Sequence, residues 1–139
     1  MTEKLNISWN DFEYGAQVIT NFYTGTGKKV IVGLSRGGLP LAVKLSNVME
    51  IPMIPLVWQT RDGKTKDVDT LRDIGYNYVW DEVLFVDDIC DSGLTIEQIK
   101  TILPQAVFTT LINKLPESDL VEFSPMIETS DIWIAFPWE

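Results

Sequence analysis

Several residue types are scarce in this chain of 139 residues, which has no histidine and a single cysteine, Cys90. A Cys–His nucleophile and histidine metal sites are therefore excluded, and no intramolecular disulfide can form. A single cysteine fits a reducing compartment, so we expect a cytoplasmic protein. No apolar run reaches about 18 residues, and the first residues lack the apolar core of a signal peptide, so we expect no membrane insertion.

Positive charge is also scarce. Eleven Lys and Arg stand against 20 Asp and Glu, which gives a net charge of −9. This balance argues against nucleic acid and against anionic membrane surfaces as partners. An anionic substrate would need local cations or a bound Mg²⁺. The length predicts one domain, residues 1–139, with a core large enough to need no disulfide.

The stretch from Val83 to Thr95 carries most of the chemical information. Its first four residues are apolar without alternation, which is typical of a strand buried on both faces of a parallel sheet. Asp87 and Asp88 follow directly, at the carboxyl edge of such a sheet. Ligands of open α/β sheets bind beyond this edge. The two carboxylates therefore predict a site for sugar hydroxyls or a hydrated cation.

The polar loop after these acids predicts an anion site. Asp91 is followed by a segment with two hydroxyls and a glycine, residues 92–95. A helix is expected next, because apolar residues recur with helical spacing between 96 and 103. The backbone N–H groups and the dipole of a helix N-terminus favour a phosphate at such a loop.

Competing motifs fit this stretch less well. Phospho-receiver domains also place an acid pair after an apolar strand, but near the N-terminus and without Asp-Ser-Gly-x-Thr. The acid spacing fails for an EF-hand, and the chain has no P-loop sequence. A purely structural turn stays open, although such a turn seldom combines three carboxylates, two hydroxyls and a glycine.

A second strand, loop and helix precede this stretch. The strand is predicted over 30–34, and the loop that follows it reads Ser35-Arg36-Gly37-Gly38. Arginine suits bidentate contact with phosphate oxygens, and glycine lets the backbone approach a ligand closely. Taken alone, this is a weak indication of a second anion contact.

The segment 83–95 resembles the phosphoribosyl-diphosphate (PRPP) motif of type I phosphoribosyltransferases, an apolar strand followed by Asp-Asp-x-x-Asp-[Ser/Thr]-Gly-x-Thr. The resemblance implies that Asp87 and Asp88 hold the ribose hydroxyls and that Asp88 also supports Mg²⁺. It implies that the loop cradles the 5′-phosphate, although Leu94 stands where many relatives have a second glycine. The implied PRPP-binding residues are Asp87, Asp88, Asp91, Ser92, Gly93, Leu94 and Thr95.

Two further segments match loops of that family. The residues Ser35, Arg36, Gly37 and Gly38 correspond to its pyrophosphate loop, where a cis peptide is implied between Ser35 and Arg36. The polar segment 59–76 corresponds to a flexible loop that closes over the pyrophosphate. Its candidate contacts are Arg61 and Lys64, but the Ser-Tyr pair of many relatives is missing. A solvated hairpin or surface loop is the alternative interpretation.

The C-terminal third resembles the xanthine–guanine branch of the family. Lys114 follows a strand predicted over 106–112 and matches the lysine that 6-oxopurine enzymes direct at the purine O6. The tail Trp-Ile-x-x-Pro-Trp-Glu, residues 133–139, implies that Trp133 stacks on the purine and that backbone groups of Ile134 read its 2-position. The alternative role of the tail is a strand that covers the core.

The expected fold is α/β, with a mostly parallel sheet of about five strands, flanking helices, and a small hood mainly from residues 113–139. The resemblance implies transfer of phosphoribosyl from PRPP to N9 of a 6-oxopurine in purine salvage, with Asp91 as the catalytic base. It implies Mg²⁺ as cofactor and a homodimer or homotetramer. A transferase for another base, or a PRPP- or nucleotide-binding regulatory protein without turnover, is the alternative.

Overall fold

A computed structural model of the protein describes residues 3–60 and 65–139. Arg61 and Lys64 therefore lie outside the described residues. Within those residues, no helix is both long and apolar enough to cross a membrane. The elements in chain order are β1 (Lys4–Asn6), α1 (Trp9–Tyr23), β2 (Val30–Ser35), α2 (Leu39–Met49), β3 (Met53–Val57), α3 (Val68–Asn77), a 3₁₀ turn (Trp80–Glu82), β4 (Val83–Cys90), α4 (Leu94–Ile102), β5 (Val107–Asn113), β6 (Met126–Ile127) and β7 (Trp133–Ala135).

The central sheet has five strands in the order β3-β2-β4-β5-β6, and every pairing in it is parallel. This confirms the predicted fold class. β3 is an edge strand and contains Pro55, as expected for a residue that cannot donate a ladder hydrogen bond. The chain leaves β2 toward β3 in one direction and leaves β4 toward β5 in the other. The gap between β2 and β4 is therefore the topological switch point, where α/β sheets bind their ligands.

The strand register opens this gap at the carboxyl edge. β2 and β4 are paired from Val30 with Val83 up to Gly33 with Val86. Beyond that point β2 continues only alongside β3, and β4 continues alongside β5 as far as Cys90. β4 is thus longer than the apolar run suggested, because backbone pairing with β5 continues after the apolar residues end. Its two acids lie inside the strand, at the point where it separates from β2.

The core consists of two apolar layers, one on each face of the sheet. The inward side chains of β4 alternate between them, with Leu84 and Val86 on one face and Val83 and Phe85 on the other. Helices α1 and α2 cover the first face, and α3 and α4 cover the second. This confirms that β4 is buried on both faces, which fixes the position of the acids that follow.

The C-terminal tail forms a second, two-stranded sheet with the N-terminus. β7 pairs in parallel with β1, placing Trp133 opposite Lys4 and Ile134 opposite Leu5. The expected strand in the tail is confirmed, but it does not join the central sheet. The fifth strand of the central sheet is β6, whose two residues are too few to produce a recognisable sequence pattern.

The prediction of a flexible loop over 59–76 is wrong for its second half, because α3 begins at Val68. The Asp67 carboxylate caps this helix by accepting from Thr70 N at 3.1 Å. Leu71 and Ile74 are buried against the sheet. These few apolar positions among polar residues were too sparse a signal for a helix. Ahead of this helix, Gln59 N donates a hydrogen bond to Thr65 O at 2.9 Å.

Candidate active site

The loop after β2 lies directly against the acids of β4. A Cβ atom added to Gly37 would lie 2.5 Å from the Asp88 Oδ2 atom, and one added to Gly38 would lie 2.6 Å from the Val86 carbonyl oxygen. Both glycines are therefore required by the close contact between this loop and strand β4. The peptide bond between Ser35 and Arg36 is cis, as the family resemblance implied.

Asp87 and Asp88 are half-buried and held by their own backbone. Asp87 Oδ1 accepts from Asp88 N at 2.8 Å, and Asp88 Oδ1 accepts from Ile89 N at 2.8 Å. Burial, and then the neighbouring charge of Asp88, raise the pKa of Asp87 well above its usual range. Burial also raises the pKa of Asp88, to which the negative charge of Glu139 adds.

This acid pair lacks a cationic partner within the described residues. The ion pairs there are Lys29–Glu82 and Lys44–Glu13, neither of which involves the pair. Carboxylate oxygens that are not paired with a Lys or Arg side chain fit Mg²⁺. This ion is commonly bound by one or two carboxylates together with substrate phosphates and water. A site made of protein ligands alone does not fit, since the described residues contain no group of three or more candidate ligands.

The predicted phosphate loop joins β4 to α4. Gly93 adopts a positive φ of 80°, and a Cβ atom there would meet the Leu120 side chain at 2.5 Å. The Ser92 hydroxyl accepts from Leu94 N at 3.3 Å. A cavity of about 200 Å³ lies at this helix N-terminus and is lined by residues 87–96. Leu94 lines it, so its side chain occupies space that a glycine would leave free.

A second cavity of about 380 Å³ adjoins the first, and both include Asp88 and Asp91 in their walls. Lys114, Trp133 and Ile134 also line it. The structure thus brings together residues that the sequence placed in three separate segments. Trp133 is 57% exposed, whereas Ile134 is buried in β7.

The Lys114 side chain connects the end of β5 to the tail. Its Nζ atom donates to the Ile132 carbonyl oxygen at 2.7 Å. β7 is fixed independently, since Trp133 N donates to Glu3 O at 3.1 Å and Ile7 N donates to Ala135 O at 2.8 Å. The wall of the second cavity is therefore anchored from both the central sheet and the N-terminal strand.

Two carboxylates of this cavity could not be found from the sequence. Asp131 and Glu139 both line it. The Glu139 Oε1 atom accepts from Phe136 N at 2.9 Å, which folds the end of the tail back toward Asp88. Glu139 belongs to the tail motif already recognised, but nothing in the sequence showed that the tail turns back. Asp131 had no signal beyond its position two residues before Trp133.

Cys90 takes no part in either cavity's chemistry. It is buried within the apolar layer that contains Phe108. Burial, with the nearby charges of Asp87 and Asp91, raises the pKa of its thiol to about 11. The side chain is thus an apolar packing group and not a thiolate nucleophile. Arg36, by contrast, is exposed at the mouth of the gap between β2 and β4.

Comparison with known proteins identifies the class. Residues 13–106 match the family model described as Phosphoribosyl transferase domain, which is more than half of the chain. The protein therefore belongs to the phosphoribosyltransferase family, whose members are enzymes of the glycosyltransferase class. The match covers the glycine loop after β2, both acids of β4 and the phosphate loop.

Particular relatives are similar over most of their length. A xanthine-guanine phosphoribosyltransferase of Cereibacter sphaeroides is 27% identical, covering 96% of this chain and 86% of that protein. A purine phosphoribosyltransferase of Pyrococcus horikoshii has the same fold, with a TM-score of 0.68, 20% identity, and coverage of 99% and 94% of the two chains. A Neisseria gonorrhoeae protein solved with bound ppGpp gives a TM-score of 0.75 at 20% identity, covering 100% and 90%.

Proposed function

We propose that the protein transfers the 5-phosphoribosyl group from PRPP to N9 of a 6-oxopurine and releases pyrophosphate, a reaction of purine salvage. The observation that carries this proposal is the shared wall of the two cavities, which contains Asp88 and Asp91. A ribose phosphate held in the smaller cavity would present its C1 atom toward a base in the larger one. Adjacency of the two reactants is the main requirement of a transfer reaction.

The sugar phosphate is assigned to β4 and the loop that follows it. Asp87 and Asp88 accept hydrogen bonds from the ribose hydroxyls, and residues 91–95 hold the 5′-phosphate at the N-terminus of α4. The backbone conformation of Gly93 turns the loop into this helix. Holding the ribose still matters because the C1 atom acquires positive charge as its bond to pyrophosphate breaks.

The leaving pyrophosphate is assigned to the glycine loop, residues 35–38. Arg36 and the backbone of this loop contact its oxygens, and Arg61 and Lys64 are candidates for further contacts. Mg²⁺ would be held by Asp88, together with phosphate oxygens and water, and would supply positive charge to the pyrophosphate. The fit rests on the unpaired, half-buried carboxylates described above.

The base is assigned to the larger cavity. Trp133 stacks on the purine, Lys114 contacts O6, and the backbone of Ile134 contacts the 2-position. As N9 bonds to C1 and the C1–O bond breaks, the purine must lose a proton from N7, and Asp91 accepts it. A carboxylate can do so because the purine becomes acidic as the bond to C1 forms. The names of the curated relatives support a purine as the acceptor.

The experiment is a product assay with the purified chain, PRPP and Mg²⁺. Xanthine, guanine, hypoxanthine and adenine are tested separately, and uracil serves as a pyrimidine acceptor. Formation of a 6-oxopurine nucleotide with equimolar pyrophosphate supports the proposal. Transfer to adenine or uracil alone would assign the protein to another base.

A second candidate is a PRPP- or nucleotide-binding regulatory protein without turnover. The structural neighbour with bound ppGpp is the observation that favours it, since that protein was solved with a nucleotide ligand. The same preparation separates the two candidates. Binding of PRPP or a nucleotide by calorimetry, combined with no product from any base, would support the regulatory function and reject the enzyme.

A further inference from the structure

A buried indole joins the edge strand of the central sheet to the helix that follows the phosphate loop. Trp58 comes directly after β3 and is 6% exposed, and its Nε1 atom donates to the Gln98 Oε1 atom at 2.9 Å. Gln98 lies on α4, one turn after Leu94. The proposed function gives no task to Trp58 or Gln98, although their bond connects segments 40 positions apart in the chain.

The Trp58 end of this bond lies beside the start of the glycine loop. Val57 is paired with Ser35 in the sheet, so Trp58 follows the position at which the loop 35–38 begins. Its indole belongs to the apolar layer covered by α3 and α4, and its backbone forms an antiparallel bridge with Lys66. Trp58 therefore fixes where the carboxyl end of β3, and of the β2 strand paired with it, lies relative to α4.

The Gln98 end lies one turn behind the cavity assigned to the 5′-phosphate. Leu94 and Thr95, in the first turn of α4, line that cavity. Glu97 N donates to Gly93 O at 3.0 Å, so the helix begins directly at the phosphate loop. Because backbone hydrogen bonds join consecutive helical turns, a displacement at Gln98 also displaces the N–H groups of the first turn.

The two anion sites lie on different strand–loop–helix units. In the sheet, β2 lies between β3 and β4, so the bond connects the two sides of β2 on the face covered by α3 and α4. PRPP carries a phosphate at one end and a pyrophosphate at the other. A ligand that binds at two points gains affinity when the spacing of those points is fixed beforehand.

We propose that the Trp58–Gln98 hydrogen bond is a positioning contact that sets the spacing between the glycine loop and the phosphate loop. It thereby raises the affinity for a ligand that carries both a phosphate and a pyrophosphate. The inference rests on the proposed function, because it uses the PRPP contacts assigned there. The described walls of the two cavities include neither Trp58 nor Gln98, so both residues act through the loops that they hold.

The test measures three dissociation constants by calorimetry in the presence of Mg²⁺, for PRPP, ribose 5-phosphate and pyrophosphate. Gln98→Leu removes the acceptor, and we expect it to raise the Kd of PRPP by about threefold to tenfold, the effect of one lost hydrogen bond. The Kd values of ribose 5-phosphate and pyrophosphate should change by less than about twofold, because each ligand contacts only one of the two loops.

Two further variants tie the effect to the bond itself. Trp58→Phe removes the donor and should give the same pattern over the three ligands, and the double variant should bind PRPP no more weakly than either single variant. Gln17→Leu on α1 is the matched control, since it removes an exposed Gln side chain that donates to Asn21 at 2.9 Å. This control should leave all three Kd values unchanged.

The outcomes distinguish this inference from the proposed function. Equal weakening of all three ligands in Gln98→Leu would show a merely structural role, and additive losses in the double variant would show that the two residues act separately. Either result would overturn the inference. Wild-type turnover with an unchanged PRPP affinity in Gln98→Leu would reject the inference alone, whereas a wild type that does not bind PRPP would reject the proposed function and the inference with it.

Discussion

The carboxylates at the carboxyl edge of the sheet differ in their surroundings, and these differences separate their tasks. Asp87 and Asp88 are half-buried, and burial raises their pKa values because it disfavours their negative charge. They therefore suit a ligand that brings both hydroxyl groups and a cation. Asp91 is exposed and lies at the boundary of both cavities. A group that exchanges a proton with a substrate must be accessible to it, which is why Asp91 is the base in our proposal.

Replacing Asp91 with Asn should lower kcat by about a hundredfold or more, the usual contribution of a positioned acid or base. The amide keeps the shape of the side chain but accepts a proton poorly. We expect the thermal unfolding temperature to change little, because the side chain is exposed. Initial rates at saturating PRPP and base are measured for the wild type, for Asp91→Asn and for the control Asp73→Asn, which replaces an exposed acid on α3. A near-normal kcat in Asp91→Asn would remove this residue from the mechanism.

Replacing Trp133 with Ala should raise the KM of the purine more than the KM of PRPP. The exposed ring forms one wall of the larger cavity, whereas the assigned PRPP contacts lie on β4 and its loop. Trp80→Ala is the matched control, because this half-exposed Trp precedes β4 at the amino edge of the sheet. Equal effects on both KM values in Trp133→Ala would argue against stacking on the base.

The elements that build the site are two strand–loop–helix units in direct contact. The glycine loop after β2 is shaped by Asp88 and by the β4 backbone, so this loop and the acid pair form one unit. This contact explains why two consecutive glycines stand there, because side chains would push the glycine loop away from β4. It also implies that a small change in the glycine loop displaces the Asp88 side chain.

Gly37→Ala should lower kcat/KM by about tenfold or more, because the added methyl group would lie 2.5 Å from the Asp88 carboxylate and must displace it. The KM of PRPP should rise with it. Gly75→Ala on α3 is the control, since its methyl group meets the end of the flexible Leu103 side chain at 2.6 Å, outside both cavities. An unchanged kcat/KM in Gly37→Ala would contradict the proposed coupling of the glycine loop to Asp88.

The parts of this architecture that were predictable from the sequence have strong local signals. The unbroken apolar runs of β2 and β4 and the acid–hydroxyl–glycine motif predicted the strands and the loops at their ends. α3 and β6 were missed because their burial depends on a few residues whose partners are distant in sequence. Asp131 and Glu139 were missed for a related reason: only the folded position of the tail brings them into the cavity wall that also contains Asp88.

At the scale of the whole molecule, a net charge of −9 and an uncompensated acid pair oppose stability at neutral pH. The folded-state pKa of Asp87 lies above its unfolded value, so the folded protein holds a proton that the unfolded chain releases. Stability therefore falls as the pH rises from the unfolded value, about 3.9, through the raised folded value. The loss of folding stability that this charge causes is fully present above the folded-state pKa of Asp87.

Asp87→Asn should therefore raise the unfolding temperature at neutral pH by about 3 °C, corresponding to about 1 kcal/mol in a domain of this size. The amide retains Oδ1 as an acceptor for Asp88 N. The gain should vanish as the pH is lowered through the folded pKa, and PRPP binding should weaken. Calorimetric scans across this pH range, with Asp73→Asn as control, provide the measurement. A lower unfolding temperature in Asp87→Asn at neutral pH would show that the buried charge does not destabilise the fold.

The most direct test of the active site is a crystal structure of the protein with PRPP and Mg²⁺. We predict the ribose hydroxyls on Asp87 and Asp88, the 5′-phosphate on residues 91–95, and the pyrophosphate on the loop 35–38. The C1 atom should face the cavity that Trp133 lines. PRPP bound elsewhere, or a gap between β2 and β4 that stays empty at saturating PRPP, would contradict the assignment.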